Sequence, residues 1–295
     1  MRSSCARIAT PHGKSEHDAP QIPLSLARPD GHTASEVQQS VRARPRRAPA
    51  NRPTTPPGWR HDHGMTYRER PTPVPGAVLW QRTVGPASEL TRILPDGCLD
   101  LVWDGRRLLV AGPDSTARLH RSSPGTWYVG LRCSGGTGPA LLGLPADLVC
   151  DRAPELEELW PAAEARALAE RIAAGPEAEL EAWAVERAAS RDVDPLGPSV
   201  LRMADVGAPV SVIADRLGVS ARHLHRRCLP VFGYGPRRLA RVLRLGRAVD
   251  EARSGLPLAQ VAAGCGYADQ AHLSREMRAL AGTTPTGLLR ELRGG

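Results

Sequence analysis

The stretch "GCGYADQAHLSREMRALAGTTP" (residues 264–285) opens with two glycines, closes on a proline and carries helical spacing between them. The stretch "RLGVSARHLHRRCLPVFGYGP" (residues 216–236) has much the same punctuation. When Ile213 and Ala214 are laid over Val261 and Ala262, Leu217 and Gly218 fall on Cys265 and Gly266. One extra turn residue follows in the second copy. Ser220 then matches Asp269, Leu224 matches Leu273, Arg226 matches Arg275, Gly233 matches Gly282, Pro236 matches Pro285 and Leu239 matches Leu288. Each copy reads as a short helix, a turn around a glycine and a second helix.

The local chemistry supports that reading. Ser220 and Asp269 suit N-cap positions, where a side-chain oxygen takes a free backbone N–H of the first turn. Gly233 and Gly282 stand where a helix stops. Thr284 is expected to cap a last helix with Pro285 at its tolerant first position. Ala214 and Ala262 are small where two helices cross. This is helix-turn-helix grammar, in which the second helix enters the major groove and its N-terminal residues face base edges.

The groove face of the first copy is then Arg222, His225 and Arg226, and that of the second is Gln270, Ala271, Ser274 and Arg275. Arginine suits the O6/N7 edge of guanine and glutamine the N6/N7 edge of adenine. Ser220, His223, His272 and Thr284 flank these faces and are expected at phosphates. So are Arg237 and Arg238, which open "GPRRLARVLRLGRAVDEAR" (residues 235–253). Arg244 and Arg247 are expected either to meet solvent or phosphate, or to pair with Asp250 or Glu251 on the same helix.

Charge is distributed accordingly. Residues 1–74 carry a net +6, residues 75–195 a net −6 and residues 196–295 a net +8. A basic third beside an acidic middle predicts a polyanion partner for that third, namely double-stranded DNA. Residues 196–293 resemble the DNA-binding domain of the AraC/XylS family of transcription regulators, most specifically through "GYADQAHLSREMRALAGTTPTGLLR" (residues 266–290). The resemblance implies two helix-turn-helix units joined by a linker helix at residues 235–253. It also implies RNA polymerase and a second copy of the chain as candidate partners.

Residues 75–132 read as short strands between turn signals: "GAVLWQRTV" (76–84), "CLDLVW" (98–103), "RLLVAG" (107–112) and "TWYVGLRC" (126–133), with "PDG" and "DGR" as tight turns. A small antiparallel barrel or sandwich is expected. From Pro139 the period becomes helical, with Leu168, Ile172, Leu180 and Trp183 as core. Regulators of the resembled family often carry a ligand-sensing, cupin-like barrel followed by helices. "ILPDGCLDLVW" (93–103) is similar to a phrase of sensor-type domains found ahead of such DNA-binding halves. The expected class is thus α+β, with a sensor or dimerisation domain over 67–193 and the DNA-binding domain over 196–295. An effector would sit inside the barrel, lined by Trp80, Trp103, Trp127 and Arg132, with Asp100 open between turn and pocket.

The Pro- and Arg-rich segment 1–66 has no apolar period and reads as a disordered tail, with Met65 an alternative start. No apolar run reaches the ~18 residues of a membrane span, and no secretory signal precedes the fold, so a cytoplasmic location is expected. Enzyme classes lack their residues. Residues 75–195 hold one histidine, His120, so a cupin metal site is not expected and no cofactor is called for. There is no P-loop or nucleophile elbow. The "PCHR" motif and zinc-binding cysteines of adaptive-response methyltransferases, which the DNA-binding half also resembles, are missing. The six cysteines are scattered and read as reduced thiols, with a redox role for Cys133 or Cys150 as the alternative. A cupin-like enzyme or an effector-free dimerisation module carrying a DNA-binding appendage remains the competing reading.

Overall fold

The computed structural model describes residues 66–191 and 193–292, all of which fall in one compact unit. The expected tail and the alternative start at Met65 lie outside the described residues. Seven strands come first: β1 (Thr66–Pro71), β2 (Ala77–Thr83), β3 (Glu89–Ile93), β4 (Leu99–Trp103), β5 (Leu108–Ala111), β6 (Arg118–Ser122) and β7 (Trp127–Cys133). They form a five-stranded antiparallel sheet in the order β1-β2-β7-β4-β5 and a separate ribbon, β3-β6. No pairing among the described residues closes these into a barrel, so of the two expected forms, barrel or sandwich, the sheet faced by a ribbon is the open one. The two turn signals are kept, with Gly97 and Gly105 at φ 81° and 91°, a region that favours glycine.

Strand alternation decides what each face does. Leu79, Leu99, Leu101, Trp103, Val129, Leu131 and Cys133 point to one side and form a core with α1 (Thr137–Leu142), α2 (Ala162–Ala174) and α3 (Pro176–Ala189). Leu168, Ile172, Leu180 and Trp183 are buried there, as their spacing predicts. Arg70 crosses from β1 to α3 and donates to Glu181 at 2.8 Å. The opposite face, with Trp80, Asp100, Val102 and Arg132, looks toward the ribbon.

Seven helices follow: α4 (Leu196–Asp205), α5 (Val210–Arg216), α6 (Ala221–Phe232), α7 (Pro236–Arg253), α8 (Leu258–Gly264), α9 (Gln270–Ala281) and α10 (Pro285–Glu291). They hold two cores. One packs Ile213, Leu224, Cys228 and Phe232 against α4 and the start of α7. The other packs Val261, Leu273, Met277 and Leu288 against the end of α7. The 18-residue α7 contributes to both, so it is the shared spine of two small bundles.

Candidate nucleic-acid interface

The second helix of each unit begins as its sequence requires. The Ser220 hydroxyl accepts from the His223 N–H at 3.2 Å, Asp269 Oδ1 from the His272 N–H at 2.6 Å, and Thr284 Oγ1 from the Gly287 N–H at 3.0 Å. Gly233 and Gly282 end α6 and α9 in the left-handed region, at φ 76° and 68°. These caps fix which side chains lead each helix outward. Arg222, His225 and Arg226 are exposed on α6, and Gln270, Ala271 and Arg275 on α9, with Ser274 half-buried beside them. Leu224 and Leu273 are fully buried on the opposite faces.

Several flanking residues have local work. Arg226 donates to His223 Nδ1 at 3.1 Å, which ties those two side chains together. His272 Nδ1 accepts from the Ala268 N–H at 3.3 Å while its ring stands edge-on to Tyr267, 5.3 Å between centroids. Both contacts spend one ring nitrogen inside the protein. His225 leans over the α6–α7 turn, where a Cβ on Gly235 would come within 2.2 Å of its Nδ1. Beside it, Arg222, His225, Arg237, Arg238 and Arg241 line an open groove of about 540 Å³, a concentration of cations suited to a phosphate backbone.

The arginines of α7 divide their partners differently from the expectation. Arg241 donates two hydrogen bonds of 2.9 Å to Glu276 on α9. Arg244 lies over the Tyr267 ring, 4.6 Å from its centroid, and donates to the Gly266 carbonyl at 3.3 Å. Arg247 pairs with Asp205 of α4 at 3.5 Å. Of the alternatives the sequence leaves open, solvent or phosphate on one hand and Asp250 or Glu251 on the other, neither describes these contacts, which reach the α8–α9 turn and α4. The reason is that α7 lies between the two bundles and meets a neighbour on each side. Burial drives the Glu276 carboxyl upward, but the Arg241 hydrogen bonds and the charges of Arg241, Arg244 and His272 outweigh it and hold it below its ordinary range.

Arg237 is exposed, whereas Arg238 turns toward the β-domain and donates to the Ser115 carbonyl at 3.5 Å. This belongs to a seam between the halves. A Cβ on Gly233 would meet Pro113 at 2.7 Å, and one on Gly197 would meet the Gly135 carbonyl at 2.1 Å. Tyr234 is buried in the seam, and burial, reinforced by Asp96 and neighbouring acids, raises its hydroxyl well above the ordinary range. The ribbon holds the second unit. Arg92 donates to Glu291 at 2.8 Å and to the Ala281 carbonyl at 3.0 Å, and the Ala117 N–H donates to the Leu280 carbonyl at 2.6 Å.

A cavity of about 180 Å³ lies between the five-stranded sheet and the ribbon. Trp80 and Arg132 line it, together with Tyr67, Asp100, Tyr128 and residues of β3 and β6. Trp80 lies flat over Gly130, where a Cβ would come within 2.3 Å of the indole, and Trp80 donates to Asp100 Oδ1 at 2.7 Å. Burial raises the Asp100 carboxyl, with Arg132 opposing. Trp103 and Trp127 do not line the cavity. They sit at odd-numbered positions of β4 and β7, which alternation sends to the helix side, where they join the core. Cys133 is in that core as well, and Cys150 is half-buried, its thiol pushed up to about 11 by burial and by the Asp151 charge. Neither environment favours the thiolate that a redox role needs. Among the described residues no group of His, Cys, Asp and Glu could hold a metal ion.

Residues 213–291 match the family model described as a helix-turn-helix domain, and residues 77–155 match a domain of unknown function, DUF6597. No curated protein matches the chain by sequence. Similar solved structures include ToxT from Vibrio cholerae O395, at 10% identity and a TM-score of 0.42 over 79% of this chain and 99% of that one. ToxT from Vibrio cholerae strain SCE256 with unsaturated fatty acid bound is similar at 11% identity and a TM-score of 0.37, over 78% and 96%. A probable AraC family transcriptional regulator from Rhodopseudomonas palustris CGA009 matches at 20% identity and a TM-score of 0.30, over 34% of this chain and 99% of that one. With two capped helices on one spine, residues 213–291 are thus matched as a helix-turn-helix domain, and they follow a β-domain matched as one of unknown function.

Proposed function

We propose that the chain is a sequence-specific transcriptional regulator whose two recognition helices read successive major grooves on one face of DNA. The β-domain, residues 67–193, would modulate residues 196–295 in response to a small molecule. The observation that carries this reading is the duplicated unit on a single spine. Its exposed leading faces differ in chemistry, with Arg222, His225 and Arg226 on one and Gln270, Ala271 and Arg275 on the other. Eighteen residues of α7 span roughly 27 Å at 1.5 Å per residue, commensurate with the ~34 Å groove repeat. Different faces favour an asymmetric site read by one chain. Phosphates would be held by Arg237, Arg238 and the caps at Ser220 and Thr284, with His223 and His272 alongside. RNA polymerase, a second copy of the chain and a cytoplasmic setting go with this role, and catalysis does not.

The test is selection of binding sites from a random DNA library by the full chain. Two unlike base clusters separated by about one helical turn, ~10 bp, are expected. A single cluster, a palindrome or no enrichment would overturn the two-groove reading.

A further inference from the structure

The chain from β3 into β4, residues 92–97, touches both helical bundles without passing through α7. At one end Arg92 donates from Nε to Glu291 Oε2 at 2.8 Å, from Nη2 to Glu291 Oε1 at 3.2 Å and from Nη1 to the Ala281 carbonyl at 3.0 Å. One guanidinium thus ties the last residue of α9 to the last residue of α10. Leu94 packs against the core of the same bundle. At the other end the backbone of Gly97 lies against the first bundle. A Cβ there would stand 3.2 Å from Leu239 Cδ1 and 3.8 Å from the Tyr234 hydroxyl. Leu239 and Tyr234 are both buried in the first core.

The segment between these contacts is short and stiff. Its ring fixes φ at Pro95, which is buried together with Gly97 and Cys98. Asp96 closes a local turn by accepting from the Cys98 N–H at 2.9 Å, and Arg132 of β7 stands 3.7 Å from the same carboxylate. Gly97 is at φ 81°, where a side chain would be strained. Six residues reach at most about 20 Å, so the two anchors cannot drift beyond that. Each end also continues into a paired strand, β3 with β6 and β4 with β5 and β7.

A single helix sets the distance along its axis but still bends, and long helices are rarely straight. Two bundles joined only by α7 would therefore keep some freedom to swing against each other. A second attachment removes part of it, and residues 92–97 supply that attachment. The Ala117 N–H, which donates to the Leu280 carbonyl at 2.6 Å, reinforces it from the other strand of the ribbon. Both grips fall at the far end of α9 from Gln270 and Ala271, so they orient the helix without covering its leading face.

We propose that residues 92–97 are a strut that sets the distance and angle between α6 and α9, and through them the half-site spacing the chain accepts, with Arg92 as its positioning residue. This rests on the two-groove reading above. Selectivity between spacings is a difference of affinities. A rigid pair of helices loses one set of base contacts when the spacing is wrong, whereas a loosened pair swings to recover them.

The experiment measures DNA binding by the full chain on the selected site and on copies with one base pair added or removed between the two clusters. The native chain should bind either wrong spacing about tenfold more weakly. Arg92→Gln and Glu291→Ala should each shrink that penalty to about threefold or less, with affinity at the native spacing within about twofold. Library selection with either variant should return the same two clusters at a wider range of separations. Arg92→Lys, which keeps the charge, should restore part of the discrimination, and Arg121→Gln, exposed on the same ribbon, should keep all of it. Circular dichroism verifies each fold, and Glu291, 46% exposed, is the change least able to unfold the chain. Equal native binding at all three spacings would mean that the two-groove reading fails and the strut with it. Native discrimination left intact by both Arg92→Gln and Glu291→Ala would overturn the strut alone. A uniform loss of affinity at every spacing would overturn it as well, leaving Arg92 a structural residue.

Discussion

Arg241 of α7 and Glu276 of α9 are joined by two parallel hydrogen bonds of 2.9 Å, the geometry in which a guanidinium meets a carboxylate most strongly. The pair fixes the rotation of α9 about its own axis relative to α7. It does so on the side of α9 away from Gln270 and Arg275, and so leaves the groove face free. Arg241 is 37% exposed, so the pair's contribution is discounted for solvent screening. Glu276→Gln should cost about 0.5–1 kcal/mol in urea denaturation. It should also loosen the half-site read by α9 while sparing the one read by α6.

The same pair has a pH signature. Because Glu276 is held below its ordinary value of 4.5 in the folded protein, its contribution is fully present above that value. It is lost as the pH falls through the lower folded value. Thermal melts of the full chain and of Glu276→Gln should therefore converge in strongly acidic solution and separate above about pH 5. Melting curves that stay parallel across that window would mean the pair does not stabilise the fold.

Base reading and phosphate binding should separate by mutation. Arg226→Ala and Arg275→Ala are each expected to blur a different cluster of bases, at about 1–3 kcal/mol per lost base contact. Arg237→Ala should weaken all sequences alike, because phosphates carry no base information. Repeating the library selection with each variant measures this directly. Blurring of one shared cluster by both recognition-helix variants would contradict the assignment.

The caps provide a stability test that leaves the groove face alone. Asp269→Ala removes the acceptor of the His272 N–H and should cost about 1 kcal/mol, whereas Asp269→Asn should retain most of it. Calorimetric melting of the two variants distinguishes a cap from a mere surface charge.

Gly130→Ala probes the cavity floor. The added methyl would fall 2.3 Å from the Trp80 indole, so an overpacking cost of about 1–3 kcal/mol is expected. Trp80→Leu in the same chain should recover part of it. A neutral Gly130→Ala would mean the indole moves freely.

The DNA-binding half was legible in sequence because its signals are local. Caps at Ser220, Asp269 and Thr284 and stops at Gly233 and Gly282 act within one turn, and the duplication supplies a second reading of each. The strands with alternating apolar residues, β2, β4, β5 and β7, were legible for the same reason. β1, β3 and β6 were not, because "TYRERP", "ELTRI" and "RLHRS" each carry two or three charged residues and show no apolar period. Their charges are explained only by what they meet: Arg70 by Glu181, Arg92 by Glu291, Arg118 by Asp114. The same limit explains the tryptophans. Composition cannot say which side of a sheet Trp103 faces, but strand register can. For Arg244 and Arg247 the sequence offers solvent, phosphate or neighbours on their own helix, because it does not show contacts across a bundle.

The glycine seam bears on how freely the two halves can be exchanged between proteins. Gly135 against Gly197, and Gly233 against Pro113, bring backbone to within a distance that no side chain fits. A graft of residues 196–295 onto an unrelated β-domain would keep its caps, its spine and both groove faces. It would lose the surface shaped to receive its α6–α7 turn. Chimeras cut at residue 195 should bind DNA without answering to their new partner, so interchange of parts would have to carry residues 112–115 and 134–151 along with the helices.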